Sequence, residues 1–169
     1  MAAEAGATAG SSACVALGAN LGEPVAALRS ALRALATLPR TRLVRSSAFV
    51  RSPSMGAPGP DYVNAVAELR TTLEPIELLR ALLAIEAAHG RMRGQPNAPR
   101  TLDLDLLLYD DLVLDTPELV LPHPRLHERA FVLVPLAELD AERIVPGRGR
   151  VVDLLPAVAT QRLDKLTTP

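Results

Sequence analysis

Two aspartates separated by one residue are the clearest candidates for chemistry in this sequence. Asp103 and Asp105 lie in the leucine-rich segment Thr101–Tyr109, which we predict to be a β-strand. Side chains alternate between the two faces of a strand, so both carboxylates share one face, about 7 Å apart at Cα. Such a pair can hold one or two divalent cations together with the phosphate oxygens of a substrate. The alternative is a solvated strand face on which the two aspartates do no chemistry.

Arginines flank this acidic strand on both sides. Arg91, Arg93 and Arg100 precede it, and Arg125 and Arg129 follow it. A single arginine is more often an ordinary surface charge, but several around a carboxylate pair suit a phosphate chain. Phosphoryl transfer requires groups that position and neutralise negative charge, and arginine can do so with two parallel hydrogen bonds. The pattern therefore favours phosphate chemistry that depends on arginine and metal ions.

The composition excludes several other classes of protein. All of the 18 basic residues except Lys165 are arginine, so neither a Walker A loop nor a protein-kinase fold, each of which needs an internal lysine, can be present. The net charge is −1, and the aromatic residues are two tyrosines and two phenylalanines. Proteins that bind nucleic acids need a basic surface or stacked aromatic rings, so we expect no nucleic-acid partner.

The length of 169 residues, 49% of them hydrophobic, is typical of one domain with an aliphatic core. Cys14 is the single cysteine, which excludes an intrachain disulfide and a cysteine-based zinc site and suits a reducing cytoplasm. No apolar run approaches the roughly 18 residues that a membrane span needs. Residues 1–12 are mostly Ala, Gly, Ser and Thr, too poor in large apolar groups to pack. They predict a disordered leader without the features of a signal peptide, followed by a single domain over 13–169.

The order of predicted elements indicates the fold class. Strands, helices and loops follow one another as β-α-β-β-α-β, which is typical of an α+β, ferredoxin-like fold with helices packed on an antiparallel sheet. In the second helix we predict an apolar stripe of Ile76, Leu79, Leu82, Leu83 and Ile85. The predicted elements are a strand at 14–17, a helix from Pro24 to Pro39, strands at 42–51 and 62–71, a helix at 75–89, a strand at 101–109, and further helices at 128–139 and 152–160.

Two further segments place polar groups at defined positions. Tyr62 shares one face of its predicted strand with Asn64, whereas Val63 and Ala65 point to the other face. His123 lies between two prolines, which hold it rigidly enough to offer a hydrogen bond to a phosphate, although most loop histidines are surface groups. No cysteine cluster or HExxH-type spacing accompanies it, so we do not expect a zinc site.

Several short motifs occur in order between Val15 and about Pro146. The most specific is the run Pro99-Arg100-Thr101-Leu102-Asp103-Leu104-Asp105. The others are Ala16-Leu17-Gly18-Ala19-Asn20-Leu21-Gly22, Ser52-Pro53 with Met55-Gly56, Asp61-Tyr62-Val63-Asn64-Ala65, Ile85-Glu86 with Gly90-Arg91, Pro122-His123-Pro124-Arg125 and Glu128-Arg129-Ala130-Phe131-Val132. With these motifs in this order, the chain resembles the 6-hydroxymethyl-7,8-dihydropterin pyrophosphokinase family of folate biosynthesis.

The resemblance implies an activity and a metal cofactor. Members of the family transfer the β,γ-pyrophosphoryl unit of ATP to the hydroxymethyl group of a reduced pterin and release AMP, without a covalent enzyme intermediate. Two Mg²⁺ ions would be held by Asp103 and Asp105. Catalytic contacts to the triphosphate would come from Arg91 and Arg100. The remaining residues that would line the ATP site are Glu86, Arg93, Leu106, His123 and Arg129.

The resemblance also implies a pterin site. Tyr62 and Phe131 would stack on the two faces of the pterin ring, and Asn64 would bind its polar edge. Stacking combined with buried, paired polar contacts allows a small site to reject analogues with the wrong edge. Ser52, Pro53 and Met55 would lie nearby. Where many members carry a Trp-Gly pair in the loop that closes over the substrates, this chain has Asn97-Ala98.

Two alternatives from other classes fit parts of the pattern. A metal-dependent nuclease or polymerase-like domain also uses an Asp-x-Asp strand, but it predicts further converging carboxylates and a basic surface. A non-catalytic, ferredoxin-like ligand-binding module would have no need for two like charges beside an arginine-flanked loop. We expect ATP and a reduced pterin as small-molecule partners, no membrane partner, and a monomer.

Overall fold

An antiparallel sheet lies at the centre of the protein, and helices cover both of its faces. The computed structural model describes residues 10–54, 59–90 and 102–166. The strands of the sheet are β1 (Ser11–Ala19), β2 (Thr41–Ser46), β3 (Val50–Ser52), β4 (Tyr62–Thr71) and β5 (Asp103–Tyr109), with a short β10 (Asp164–Lys165) at one edge. The longer helices are α1 (Pro24–Ala36), α2 (Pro75–Ala88) and α3 (Ala130–Asp140).

Shorter elements fill the second half of the chain. Two small hairpins and three short helical turns lie between β5 and β10, in addition to α3. They are β6 (Leu114–Asp115), β7 (Val120–Leu121), β8 (Ile144–Val145), β9 (Gly149–Arg150), α4 (Val151–Leu154) and 3₁₀ turns at Leu126–Glu128 and Leu155–Val158. The helix predicted at 152–160 is therefore a single α-helical turn followed by a 3₁₀ turn.

The strand order confirms the predicted α+β, ferredoxin-like fold. Along the central sheet the order is β10-β3-β4-β1-β5, and β2 also pairs with β4. The pairs β1–β4 and β1–β5 are both antiparallel, so β1 is a central strand with a neighbour on each side. The two crossover helices, α1 and α2, connect strands that are not adjacent, as the split βαβ arrangement requires.

The hydrophobic core has one layer on each face of the sheet. Helices α1 and α2 pack against the first face, where Leu17, Leu28 and Leu82 are fully buried or nearly so. Helix α3 packs against the second face, with Leu133 over Val66 and neighbouring residues. Each strand of the middle of the sheet therefore supplies alternate residues to two layers, which follows from the two-residue period of β-structure. Within the described ranges, no helix is long and apolar enough to cross a membrane.

The strand predicted at 42–51 is wrong as a single element. It is broken into β2 and β3, which pair with successive parts of β4. At the break, the Ser47 N–H donates to the Val66 carbonyl (2.9 Å) and the Ser47 hydroxyl accepts from the Val66 N–H (2.9 Å). Glu138 of α3 accepts from the Ala48 N–H (2.7 Å). These three hydrogen bonds replace the regular strand pairing at 47–49 and allow the chain to bend.

Two other expectations need correction. β1 begins at Ser11, so Ser11 and Ser12 pair with Thr71 and Arg70 and do not belong to a disordered leader. The predicted stripe of α2 is correct at Leu82 and Ile85, which are buried, and at Ile76 and Leu79, which pack against the core. It is wrong at Leu83, which is 38% exposed, and it omits Leu78, which is fully buried. The buried residues of this helix are Leu78, Leu82, Ile85 and Glu86.

Candidate active site

The two aspartates of β5 share a partly exposed face of the sheet, as their spacing predicted. Asp103 lies opposite Gly18 of β1, and Asp105 lies opposite Ala16. Both side chains are intermediate in exposure. The leucines that alternate with them are buried in the core on the other face: Leu102, Leu104 and Leu106.

The same two small residues of β1, Ala16 and Gly18, also pair with β4 on the other side of the strand. Gly18 lies opposite Asn64, and Ala16 lies opposite Val66. Neighbouring strands are about 4.8 Å apart, so Asn64 and Asp103 are separated by roughly 10 Å across β1. Because the residues between them carry no side chain or a single methyl group, no large side chain of β1 stands between the two neighbouring strands. We call this strip of small residues the trough. The acidic strand forms one wall of the trough, and β4 forms the other.

A buried amide–hydroxyl pair defines the β4 wall. The Asn64 Nδ2 group donates to the Ser52 hydroxyl (2.8 Å), and both residues are buried. A Cβ atom placed on Gly18 would lie 3.0 Å from Asn64 Oδ1, so the amide oxygen lies directly over the glycine. Pro53 follows Ser52 at the protein surface, and Met55 lies outside the described residues.

The two candidate stacking residues lie on this same side of the sheet. Tyr62 precedes Asn64 on the same strand face, and Phe131 lies in the first turn of α3, which packs over that face. Burial, and then the negative charge of Asp103, raise the pKa of the Tyr62 hydroxyl above its usual value. The Arg129 guanidinium lies 5.5 Å from the centre of the Phe131 ring, a cation–π arrangement.

His123 and Arg129 lie beside the aspartates. The His123 N–H donates to the Leu107 carbonyl (2.9 Å), which attaches the histidine loop to β5. Burial lowers the pKa of His123, the charges of Arg129 and Arg125 lower it further, and Asp103 opposes them. Burial also lowers the pKa of Arg129, with Arg125 acting in the same direction, while Asp105 and Asp103 oppose the shift. These charge interactions identify one cluster in which arginine, imidazole and carboxylate groups are neighbours.

The structure places two predicted ATP-site residues behind the acidic strand. Glu86 of α2 is only 2% exposed, and its Oε2 accepts from the Leu104 N–H (2.7 Å), at the edge of β5 that faces away from β1. Leu104 is the residue between the two aspartates. Leu106 is also buried, in the core layer beneath α1 and α2. The side chains of Glu86 and Leu106 are therefore not on the same face as Asp103 and Asp105.

The acidic pair fits a magnesium site by its chemistry. Carboxylate oxygens are hard ligands, and Mg²⁺ is often held by one or two of them, with water and substrate phosphates completing the shell. Among residues 10–54, 59–90 and 102–166, no group of three or more His, Cys, Asp or Glu side chains is placed to hold a metal ion. A metal ion held by Asp103 and Asp105 could complete its shell with substrate phosphates and water. Arg91, Arg93 and Arg100 lie outside the described residues.

Two small residues of β1 contribute to this candidate site without being among the predicted site residues. Ala16 and Gly18 form the floor of the trough, although only their membership of a motif was noted. The signal was present in the alternation of β1, where small residues share one face while Val15 and Leu17 occupy the other. Small residues on a central strand leave space above the sheet for a ligand.

The fold and the site together define an α+β domain in which carboxylate, arginine and imidazole groups gather at one face of an antiparallel sheet. The chain belongs to the 7,8-dihydro-6-hydroxymethylpterin-pyrophosphokinase (HPPK) family, whose sequence pattern matches residues 14–141.

Curated relatives agree with this assignment over most of the chain. The 2-amino-4-hydroxy-6-hydroxymethyldihydropteridine pyrophosphokinase of Haemophilus influenzae is 41% identical over 155 residues, covering 91% of this chain and 97% of the relative. The protein of the same name from Pseudomonas aeruginosa is 45% identical over 153 residues, covering 90% of this chain and 94% of the relative.

Solved structures support the fold. A crystal structure of HPPK-DHPS in complex with substrates matches with a TM-score of 0.67 at 11% identity, covering 88% of this chain and 43% of that one. The wild-type Plasmodium falciparum HPPK-DHPS with pteroate matches with a TM-score of 0.70 at 11% identity, covering 88% and 42%. This chain spans less than half of those chains, and the likeness concerns the fold alone.

Proposed function

We propose that this protein transfers the β,γ-pyrophosphoryl group of ATP to the hydroxymethyl group of 6-hydroxymethyl-7,8-dihydropterin in folate biosynthesis. The observation that carries the proposal is the trough over Gly18, which has the carboxylates of Asp103 and Asp105 on one side and the amide of Asn64 on the other. Membership of the HPPK family and the names of the relatives point to the same reaction.

Asp103 and Asp105 would hold Mg²⁺, with two ions expected. When bound, magnesium would neutralise and orient the phosphate oxygens of ATP. The support from this structure is the shared face and partial exposure of the two carboxylates. Their backbone is fixed by pairing with β1 on one side and by Glu86 at Leu104 on the other, so the carboxylates are held on a rigid element.

The pterin would lie against β4 and the start of α3. Asn64, already hydrogen-bonded to Ser52, would bind the polar edge of the ring, and Tyr62 and Phe131 would provide aromatic faces. A tyrosine hydroxyl is already protonated at neutral pH, and burial and then Asp103 raise the pKa of Tyr62 further, so the side chain stays uncharged beside Asp103. Pro53 and Met55 would line the same site.

ATP would occupy the side of the trough occupied by His123 and Arg129. The His123 Nδ1 atom accepts from the Arg125 N–H (3.2 Å), which leaves Nε2 to carry the proton of the neutral ring and to donate to an anionic oxygen. Arg129 stays charged and would contact the phosphates or ribose, as would Arg91, Arg93 and Arg100. Glu86 and Leu106 are buried behind β5. They would act on the nucleotide site mainly by fixing the position of the β5 edge.

The proposed reaction makes one bond and breaks another. The pterin hydroxyl oxygen forms a bond to the β-phosphorus of ATP, the bond from that phosphorus to the α,β-bridging oxygen breaks, and AMP leaves. The hydroxyl proton is released during the transfer. The protein's own part is to bring the hydroxyl and the triphosphate together and to neutralise charge with arginine and histidine.

We propose further that the protein acts as a monomer in the cytoplasm and binds no nucleic acid. Burial raises the pKa of the Cys14 thiol to about 11, so this cysteine is a poor nucleophile at neutral pH. A single cysteine forms no intrachain disulfide, which suits a reducing compartment. The near-neutral net charge of −1 does not favour a polyanionic partner. A nuclease-like or non-catalytic function is not favoured, because the chain belongs to the HPPK family.

Chromatography of the nucleotide products tests the proposed function. The purified protein is incubated with ATP, Mg²⁺ and hydroxymethyl-dihydropterin, with parallel samples lacking pterin or containing EDTA. We expect AMP to form only in the complete mixture. Formation of ADP would indicate transfer of a single phosphoryl group, and AMP formation that is independent of pterin would indicate a hydrolase.

A further inference from the structure

The side-chain amide of Gln161 joins the C-terminal segment to the turn that begins α3. Its Nε2 donates to the carbonyl oxygen of Glu128 (2.8 Å), and its Oε1 accepts from the N–H of Ala130 (2.9 Å). These two backbone groups lie on either side of Arg129. Rotating the amide by 180° would place donor against donor and acceptor against acceptor, so the two bonds fix its orientation.

This contact caps the N-terminus of α3, which its own N-cap residue does not do. The residue at the N-cap position is Arg129, which has extended backbone angles (φ −124°, ψ 114°) and makes no side-chain cap. The first N–H groups of a helix have no partner within the helix and require one from elsewhere. Gln161, 31 residues further along the chain, provides that partner for Ala130.

Gln161 is itself held in place. Its backbone N–H donates to the carbonyl of Val158 (3.0 Å), and Val158 is buried in the core layer beneath α3. A few residues later the chain forms β10, in which Asp164 pairs with Arg51 of β3. The amide therefore extends from a segment that is anchored at both ends.

We propose that Gln161 is a positioning residue that orients Arg129 and Phe131 toward the two substrates. By holding the peptide groups on both sides of Arg129, it sets the direction of the arginine side chain and of the start of α3, where Phe131 lies. The 5.5 Å cation–π contact between Arg129 and Phe131 couples the two side chains. This inference rests on the proposed function. Gln161 lies beyond residues 14–141, which match the family, so no family motif includes it.

The test uses Gln161→Met, which keeps the length of the side chain and removes both hydrogen bonds. The matched control is Arg162→Ala, because Arg162 lies on the same segment and its exposed guanidinium contacts Asp164 (3.5 Å) at the surface. We expect Gln161→Met to raise the KM for dihydropterin about tenfold, since two hydrogen bonds that preorganise the site are lost. Arg162→Ala should leave this KM within twofold of the wild type, about the scatter expected for a surface pair.

Two measurements do not depend on activity. In the absence of substrates, NMR should show faster hydrogen exchange at the Ala130 amide and shifted Phe131 ring signals in Gln161→Met, and neither change in Arg162→Ala. If the wild type releases no AMP, the proposed function fails, and these signals alone decide the role of Gln161. Faster exchange with shifted ring signals supports it, and unchanged signals overturn it.

Three further outcomes would overturn the proposal. One is a wild-type dihydropterin KM in folded Gln161→Met, and another is an equal rise of KM in Arg162→Ala, which would indicate general loosening of the segment. If Gln161→Met does not fold, Gln161→Glu is used in its place. A carboxylate at this position can accept from the Ala130 N–H but cannot donate to the Glu128 carbonyl. The third contradictory outcome is then an unchanged KM with unchanged Phe131 ring signals in Gln161→Glu, whereas a raised KM with shifted signals supports the proposal.

Discussion

Asn64 and Asp103 lie opposite the same residue, Gly18, from the two strands that flank β1. The candidate pterin-binding amide and the candidate metal-binding carboxylate are therefore fixed relative to each other by strand pairing alone. Their separation, about two strand spacings, does not depend on a loop. A site placed on strands in this way holds its groups more rigidly than one placed on connecting segments.

Gly18→Ala tests whether the trough floor matters for the pterin. The added Cβ would lie 3.0 Å from Asn64 Oδ1 and would displace the amide by a few tenths of an ångström. We expect dihydropterin affinity, measured by calorimetry, to fall by about tenfold, which corresponds to ~1.4 kcal/mol. Nucleotide affinity of the same variant is the internal control and should change little. Equal losses for both ligands, or none for the pterin, would contradict the assignment.

Asp105→Ala tests the acidic pair. The Asp105 side chain is partly exposed, so its removal should leave the circular dichroism spectrum and the fold intact. AMP release should fall by about a thousandfold or more, because metal-assisted charge neutralisation contributes several kcal/mol. Asp111→Ala, an exposed carboxylate just beyond the same strand, is the matched control and should retain activity. Undiminished AMP release by the Asp105 variant would sink the metal assignment.

Glu86→Ala tests how the edge of β5 is stabilised. Removing the carboxylate leaves the buried Leu104 N–H without this acceptor, which should cost about 1–3 kcal/mol of unfolding free energy in urea titrations. Glu86→Gln keeps an acceptor oxygen and should lose less. If Glu86→Ala were as stable as the wild type, the hydrogen bond to Leu104 would not stabilise the strand edge.

The lowered pKa of His123 predicts a pH dependence of stability. The folded state binds the proton more weakly than the unfolded state, whose histidine pKa is about 6.5. The contribution of His123 to the free energy of unfolding is thus fully present above the unfolded pKa, and it is lost as the pH falls through the lower pKa of the folded state. Urea titrations at pH 7.5 and 5.5 should show a larger stability loss in the wild type than in His123→Asn. Equal losses would mean that His123 does not titrate differently on folding.

The sequence was sufficient to predict features that depend on local periodicity. The two-residue alternation of β4 correctly separates Tyr62 and Asn64 from Val63 and Ala65, and that of β5 separates Asp103 and Asp105 from the core leucines. The order of strands and helices determines the ferredoxin-like topology. These predictions hold because each depends on neighbours in the chain and on which face is buried.

Features that depend on distant contacts could not be predicted. The break at 47–49 is produced by Ser47 bonding to Val66 and by Glu138 reaching Ala48, contacts that span 19 and 90 residues. Gln161 is similar, since a lone glutamine in a polar turn has no sequence signal that indicates a partner 31 residues away. The α2 stripe was predicted with Leu83 in place of Leu78, because apolar residues outnumber the buried positions on that helix.

Phosphorus NMR of the complete reaction tests the central claim most directly. The protein is supplied with ATP, Mg²⁺ and 6-hydroxymethyl-7,8-dihydropterin, and the phosphorus signals are followed until the pterin is consumed. We predict loss of the three ATP signals with equal appearance of an AMP signal and of two coupled signals from a diphosphate attached to carbon. Appearance of ADP with a single pterin monophosphate signal, or of AMP with free pyrophosphate, would contradict transfer of the pyrophosphoryl group to the pterin.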